Sequence, residues 1–321
     1  MEDSIGVHSC NSWPTSFHKE ISSKILLLRG QPKTMSFLKS LPNWVKLLLK
    51  IAVTGLCLWY VARKINWAET WDLVQTSNPW WLFAALILVA ASKAVSSFRL
   101  NIYFKNIDIE LAQIKAIKLY WLGMFYNIFL PGGIGGDAYK VILLNKEYKE
   151  VHAKKITAAV LLDRLSGVVA LGLLAVGFYA FIFRGENYSW WLLASVIPGL
   201  ALYYIGIKKI FPFFLPGFYA TLFLGLIVQL LQIVCVYCIM QSIGIHGHFN
   251  EFQLLFLISS IAAVLPLTIG GLGAREIVFL HGATWFLLDA QQAVFISLLF
   301  YVLQLLVSLV GLRWIYKSPL T

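Results

Sequence analysis

Leu130-Pro131-Gly132-Gly133-Ile134-Gly135-Gly136-Asp137 interrupts one long apolar stretch of this chain. Leu265-Pro266-Leu267-Thr268-Ile269-Gly270-Gly271-Leu272-Gly273-Ala274-Arg275-Glu276 interrupts another. Proline lacks the backbone donor a helix needs and glycine is a poor helix former, so neither run reads as continuous helix. Non-helical backbone at membrane depth is tolerated only where protein buries it or water reaches it, so paired breaks of this kind point to a substrate path rather than a passive anchor. The breaks are Pro131, Gly132, Gly133, Gly135 and Gly136 in the first run, and Pro266, Gly270, Gly271 and Gly273 in the second.

Working outward, 59% hydrophobic residues against 13% charged, with a mean hydropathy of +0.75, leave too little polar surface to cover a soluble 36.2 kDa chain. The fold class is therefore an all-α polytopic membrane protein. Net charge is +11, but the lysines and arginines sit mostly in short loops beside apolar runs, where membrane orientation accounts for them. No basic domain or aromatic-basic module points to nucleic acid. Cys235 and Cys238 lie inside an apolar segment with no His cluster near, and read as small core residues. The first 34 residues lack an apolar region followed by a small-residue cleavage site, so they read as a disordered tail or a start-site artefact rather than a cleaved signal.

Six runs, 45–62, 79–98, 156–183, 190–207, 218–240 and 293–315, are long enough to cross about 30 Å of hydrocarbon as helices. Trp44, Trp80, Trp81, Trp190, Trp191 and Trp314 stand at their ends, where an interfacial aromatic belt belongs. Two further stretches, 118–146 and 252–288, carry the glycine breaks near their middles. Each arm spans only about half to two-thirds of the bilayer core, which fits hairpins that enter and leave on one side. With re-entrant hairpins, sixteen loop lysines and arginines fall on one face and only Arg63, Lys64 and Arg184 on the other. The positive-inside rule then gives six crossings, two re-entrant hairpins and both termini in the cytoplasm, with Arg63-Lys64 the awkward pair. Shifting the chain by 138 residues lays Gly132, Gly133 and Gly135 on Gly270, Gly271 and Gly273, and lays the apolar segments on one another. Three crossings per half invert the second copy, as in alternating-access transporters. The expected organisation is a cytoplasmic tail over 1–43, a first membrane repeat over 44–183 and a second over 184–318.

Charge inside a span is costly and usually faces a cavity or a partner. The candidates for a substrate site are Arg275, Glu276, Asp137, Asp163 and Arg164, with Lys93 and Lys140 also inside apolar segments. Asp137 can cap the helix that starts at the first break, or take part in coupling to a proton or cation. Arg275 lies in a first helical turn, where a cation opposes the macrodipole; with free amides nearby it suits a phosphate, or else it pairs with Glu276 or Asp163. Arg164, Lys93 and Arg99 read as side chains that snorkel toward headgroups. His246, His248 and Glu251 amount at most to a weak metal site, no cofactor is called for, and there is no catalytic, P-loop or dinucleotide constellation.

At these residues the chain resembles a flippase-like membrane family that includes the lysylphosphatidylglycerol synthase transmembrane region. The two glycine motifs carry the likeness, with Asp163-Arg164-Leu165-Ser166-Gly167, Trp67-Ala68-Glu69 and Pro79-Trp80-Trp81. The resemblance implies a lipid translocase of a bacterial or archaeal plasma membrane. Its partners would be membrane lipids, either anionic phospholipid or polyprenyl-phosphate-linked glycan. With the chain ending at Thr321, the transferase domain of bifunctional relatives has no counterpart, so synthase activity is not expected. The alternatives are a non-transporting accessory protein for an envelope glycosyltransferase or lipid-modifying enzyme, and a membrane enzyme acting on lipid carriers.

Overall fold

The computed structural model describes residues 43–64, 66–129, 135–265, 268, 270–315 and 319–320. The tail reading over 1–34 and the breaks Pro131, Gly132, Gly133 and Pro266 lie outside the described residues. Residues 1–46 and 47–321 form separate units, and the architecture below is that of the second.

Among the described residues there is helix and no strand. In chain order the helices are α1 (Asn43–Lys64), α2 (Trp67–Thr76), α3 (Pro79–Lys105), α4 (Gln113–Phe129), α5 (Gly135–Glu147), α6 (Ala153–Ile182), α7 (Asn187–Ala194), α8 (Val196–Ile210), α9 (Phe218–Ser242), α10 (Phe249–Val264), α11 (Ala274–Trp285) and α12 (Ala290–Leu309). Local chemistry sets several starts. Asn78 Oδ1 accepts the Trp80 N–H at 3.0 Å ahead of Pro79, and the Asp289 carboxylate accepts the Gln292 N–H at 2.8 Å.

Five stretches of the described residues are long and apolar enough to cross a membrane: Pro79–Lys105, Ala153–Ile182, Asn187–Ile210, Pro212–Ser242 and Ala290–Trp314. They cover five of the six crossings read from the sequence, and the sixth corresponds to the 22-residue α1. The protein is an integral membrane protein. One crossing departs from the reading, because α7 and α8 are separated at Ser195 rather than forming a single helix. Pro198 has no N–H for the Ala194 carbonyl, so the helix restarts there. Arg63 and Lys64 close the last turn of α1, where cations complement the helix dipole, and the Arg63 guanidinium lies 4.3 Å from the Trp59 ring centroid. Local helix chemistry thus accounts for the pair that loop charge left unexplained.

Both glycine-broken stretches fold back as antiparallel hairpins. Asn127 bonds Gly136, and Lys140 crosses Gly123 and reaches Tyr120, so α5 returns along α4. Arg275 meets Ser260 and Gly282 packs on Leu255, so α11 returns along α10. The arms have 17, 13, 16 and 12 residues. At 1.5 Å per residue each reaches only about 18 to 26 Å, short of the hydrocarbon thickness.

The element order of span, hairpin and span occurs twice, α3 to α6 and α9 to α12. The corresponding helices α3 and α9 form the largest helix pair of the molecule. They run antiparallel, because Asn78 bonds Ser242, Trp81 packs edge-on to Tyr237, and Tyr103 donates to Thr221 at 3.0 Å. Corresponding segments in opposite directions make the repeat an inverted one. The packing follows the same symmetry: the first hairpin touches α6 through α5 and α12 through α4, while the second touches α12 through α11 and α6 through α10.

Candidate functional site

A cavity of about 280 Å3 opens where the hairpins face each other, lined by both of them and by α3, α6, α9 and α12. That volume lies at the lower end for a small-molecule site and suits a headgroup, with no room for acyl chains.

The first hairpin is held closed at its tip by close backbone approach. A methyl on Gly136 would lie 1.7 Å from the Gly123 carbonyl oxygen, so glycine there is a requirement of the fold. The Gly136 N–H donates to Asn127 Oδ1 at 2.9 Å, leaving the Asp137 carboxylate to other partners. Lys140 Nζ donates to Asp137 Oδ1 at 3.0 Å and sits 4.7 Å above the Tyr120 ring centroid, while Arg164 Nε of α6 pairs with Asp137 Oδ2. The capping role open to Asp137 in the sequence is therefore filled by Asn127. Asp137 instead ties the hairpin to α6 through two cations.

Asp163 lines the same cavity and takes Arg99 Nε of α3 at 2.7 Å. Both side chains are more than nine-tenths buried. Arg99 is thus not a snorkelling residue, a correction to the sequence reading: at 4% exposure it has a carboxylate within reach and no path to a headgroup. Room for its guanidinium comes from two glycines, since a methyl at Gly167 or Gly225 would lie 3.4 Å from Nη1. Gly167 follows Asp163 by four residues on the same helical face, and this spacing was the available signal for the pair. Arg164 likewise binds Asp137 rather than only reaching for the interface.

In the second hairpin, Gly273 holds a left-handed φ of 88°, and its N–H donates at 2.6 Å to Glu276 Oε2. Ser297 Oγ of α12 donates to Glu276 Oε1 at 3.0 Å. Both oxygens of Glu276, a fully buried residue, are engaged by the helix start and by α12. Arg275 does not bond Asp163. Its guanidinium donates to Ser260 Oγ at 3.3 Å and lies 5.0 Å and 5.9 Å from the Phe300 and Phe256 ring centroids. Aromatic faces attract a cation, so the rings offset the poor fit of arginine to a helix start.

Of the sequence-derived candidates, Asp137, Asp163, Arg164 and Gly270 line the cavity together, joined by Lys93, Lys140, Gln229 and Gln304. Arg275 and Glu276, in the first turn of α11, fall outside the lining. Counting Arg99 behind Asp163, four cations face two carboxylates. Cys57, Cys235 and Cys238 are free thiols, and among the described residues no group of three metal-ligating side chains occurs.

The family model described as lysylphosphatidylglycerol synthase transmembrane region matches residues 47–216 and 213–311. A UPF0104 membrane protein of Pyrococcus horikoshii is 23% identical over 128 residues, which make up 40% of this chain and 37% of that relative. That match spans little more than a third of the curated relative's length.

Proposed function

The chain belongs to the family of the lysylphosphatidylglycerol synthase transmembrane region, and from that membership we propose that it is a lipid translocase. It carries a phosphate-bearing headgroup, of an anionic phospholipid or a polyprenyl-phosphate-linked glycan, between the leaflets of a bacterial or archaeal plasma membrane. Its termini lie in the cytoplasm, and the repeats over 44–183 and 184–318 rock about the cavity in alternating access.

One observation carries this reading: the cavity between two opposed hairpins holds a surplus of positive charge in a membrane interior that otherwise excludes ions. An anionic headgroup removes that imbalance, and its acyl chains stay in lipid. Arg164 and Lys140 are placed to meet the phosphate, and Asp137 orders both. Asp163 supports them through Arg99. Arg275 and Glu276 set the second hairpin that closes the far side, and Arg275 reaches substrate only when that hairpin moves.

The test is leaflet exchange in proteoliposomes. Wild type is expected to accelerate exchange of phosphatidylglycerol or of a polyprenyl-phosphate sugar well above empty liposomes, and Asp137→Asn to lower that rate about tenfold, as loss of a charge-assisted hydrogen bond does. Exchange at the empty-liposome rate for every such lipid overturns the proposal, and favours an accessory protein that presents lipid to an envelope glycosyltransferase.

A further inference from the structure

We propose that Lys93 and Gln229 form a two-point headgroup site on the α3–α9 seam, the ammonium taking a phosphate oxygen and the Gln229 carbonyl taking a hydroxyl of the same headgroup. The assignment rests on the headgroup reading of the cavity and adds the class it selects: a phosphate with hydroxyl groups beside it, as in a glycerol or sugar phosphate.

Three observations converge. First, among the described residues Lys93 lines the cavity with no hydrogen-bond or ion-pair partner, whereas Arg99, Lys140, Arg164 and Arg275 all have one. Its charged neighbours are themselves cations, Arg275 and Arg99. Arg99 is matched by Asp163 and Arg275 adjoins Glu276, whereas Lys93 has no carboxylate of its own, and a cation left in that state makes a place for an anion. Second, Gln229 lines the same cavity at 6% exposure, and its Oε1 is buried with no donor. An unmet buried acceptor is destabilising, and a ligand hydroxyl removes that cost. Third, the antiparallel register set by Asn78 with Ser242 and Tyr103 with Thr221 brings Lys93 within about one helical turn of Gln229. The two groups therefore present a cation and an acceptor on adjoining helices, a pattern that a bare phosphate satisfies by half.

The experiment is native mass spectrometry of the full-length protein in neutral detergent, with phosphatidylglycerol and phosphatidic acid added in equal amounts and inorganic phosphate in a separate arm. Wild type is expected to retain phosphatidylglycerol in preference. Lys93→Gln should lose retention of both lipids about tenfold, and Lys93→Arg, with its charge kept, should restore it and so show the fold to be intact. Gln229→Leu should lower phosphatidylglycerol to the level of phosphatidic acid and leave phosphatidic acid unchanged. Undiminished retention by Lys93→Gln, or an equal loss of both lipids in Gln229→Leu, overturns the site. Inorganic phosphate that binds as tightly as the lipid overturns its headgroup assignment. The translocase reading is judged apart: Lys93-dependent retention without leaflet exchange supports the site and sinks that reading, and exchange untouched by Lys93→Gln does the reverse.

Discussion

The five ion-paired residues at the cavity divide into two groups, and they should respond differently to mutation. Arg99 and Asp163 are desolvated together between α3 and α6. Removing one partner from such a pair leaves a buried charge uncompensated, so Asp163→Asn is expected to destabilise the fold by about 3–5 kcal/mol. Denaturant unfolding in micelles measures this, and the double change Arg99→Met with Asp163→Leu should recover most of the loss. Asp137 faces the cavity and shares its charge between buried Lys140 and Arg164, which retains 31% exposure, so Asp137→Asn should cost less stability than Asp163→Asn while lowering leaflet exchange. Had both changes lowered stability equally, the distinction between a structural and a working pair would fail. These charges were visible in the sequence as polar residues inside apolar runs, but their pairing was not. The Arg99–Asp163 contact joins positions 64 residues apart, and which face of α3 meets α6 depends on packing that period and composition do not encode. Arg275 was legible as an anomaly, while the phenyl rings of Phe256 and Phe300 that accommodate it come from two other helices.

Hairpins form here because their tips lack the side chains that would hold them apart. Gly136→Ala is expected to prevent closure of α4 on α5, since its methyl meets the Gly123 carbonyl itself rather than a movable side chain. Gly172→Ala, on α6 with nothing within 4 Å of the added methyl, should be neutral or slightly stabilising by up to about 1 kcal/mol. Size-exclusion profiles and thermal unfolding of the two variants check the contrast. A well-behaved Gly136→Ala protein would contradict the contact. At this scale the sequence was nearly sufficient. The proline and glycine runs separate the arms of both broken stretches, although Gly135 and Gly136, read as part of the first break, instead open α5, and arm lengths follow by counting. The division of α7 from α8 at Ser195 went unread because the hydropathy of 190–207 stays high through Pro198.

At the scale of the whole molecule, inversion makes a prediction about sidedness. On a cysteine-free background, Lys149→Cys after the first hairpin and His246→Cys before the second, both exposed, should react with a membrane-impermeant maleimide from opposite faces of sealed vesicles. Reaction from one face alone would sink the membrane arrangement of the two repeats. The repeat was legible as an alignment of glycines, but the antiparallel seam of α3 with α9 needed three-dimensional contacts to establish it. The exchange of contacts between halves has a further consequence, for biosynthesis. The first hairpin rests partly on α12, and the second rests partly on α6. A ribosome therefore releases the first hairpin well before the surface that will cover α4 has been made. Until residues 290–309 enter the bilayer, that half waits unfinished, its polar tip exposed to lipid or to whatever insertion machinery shelters it.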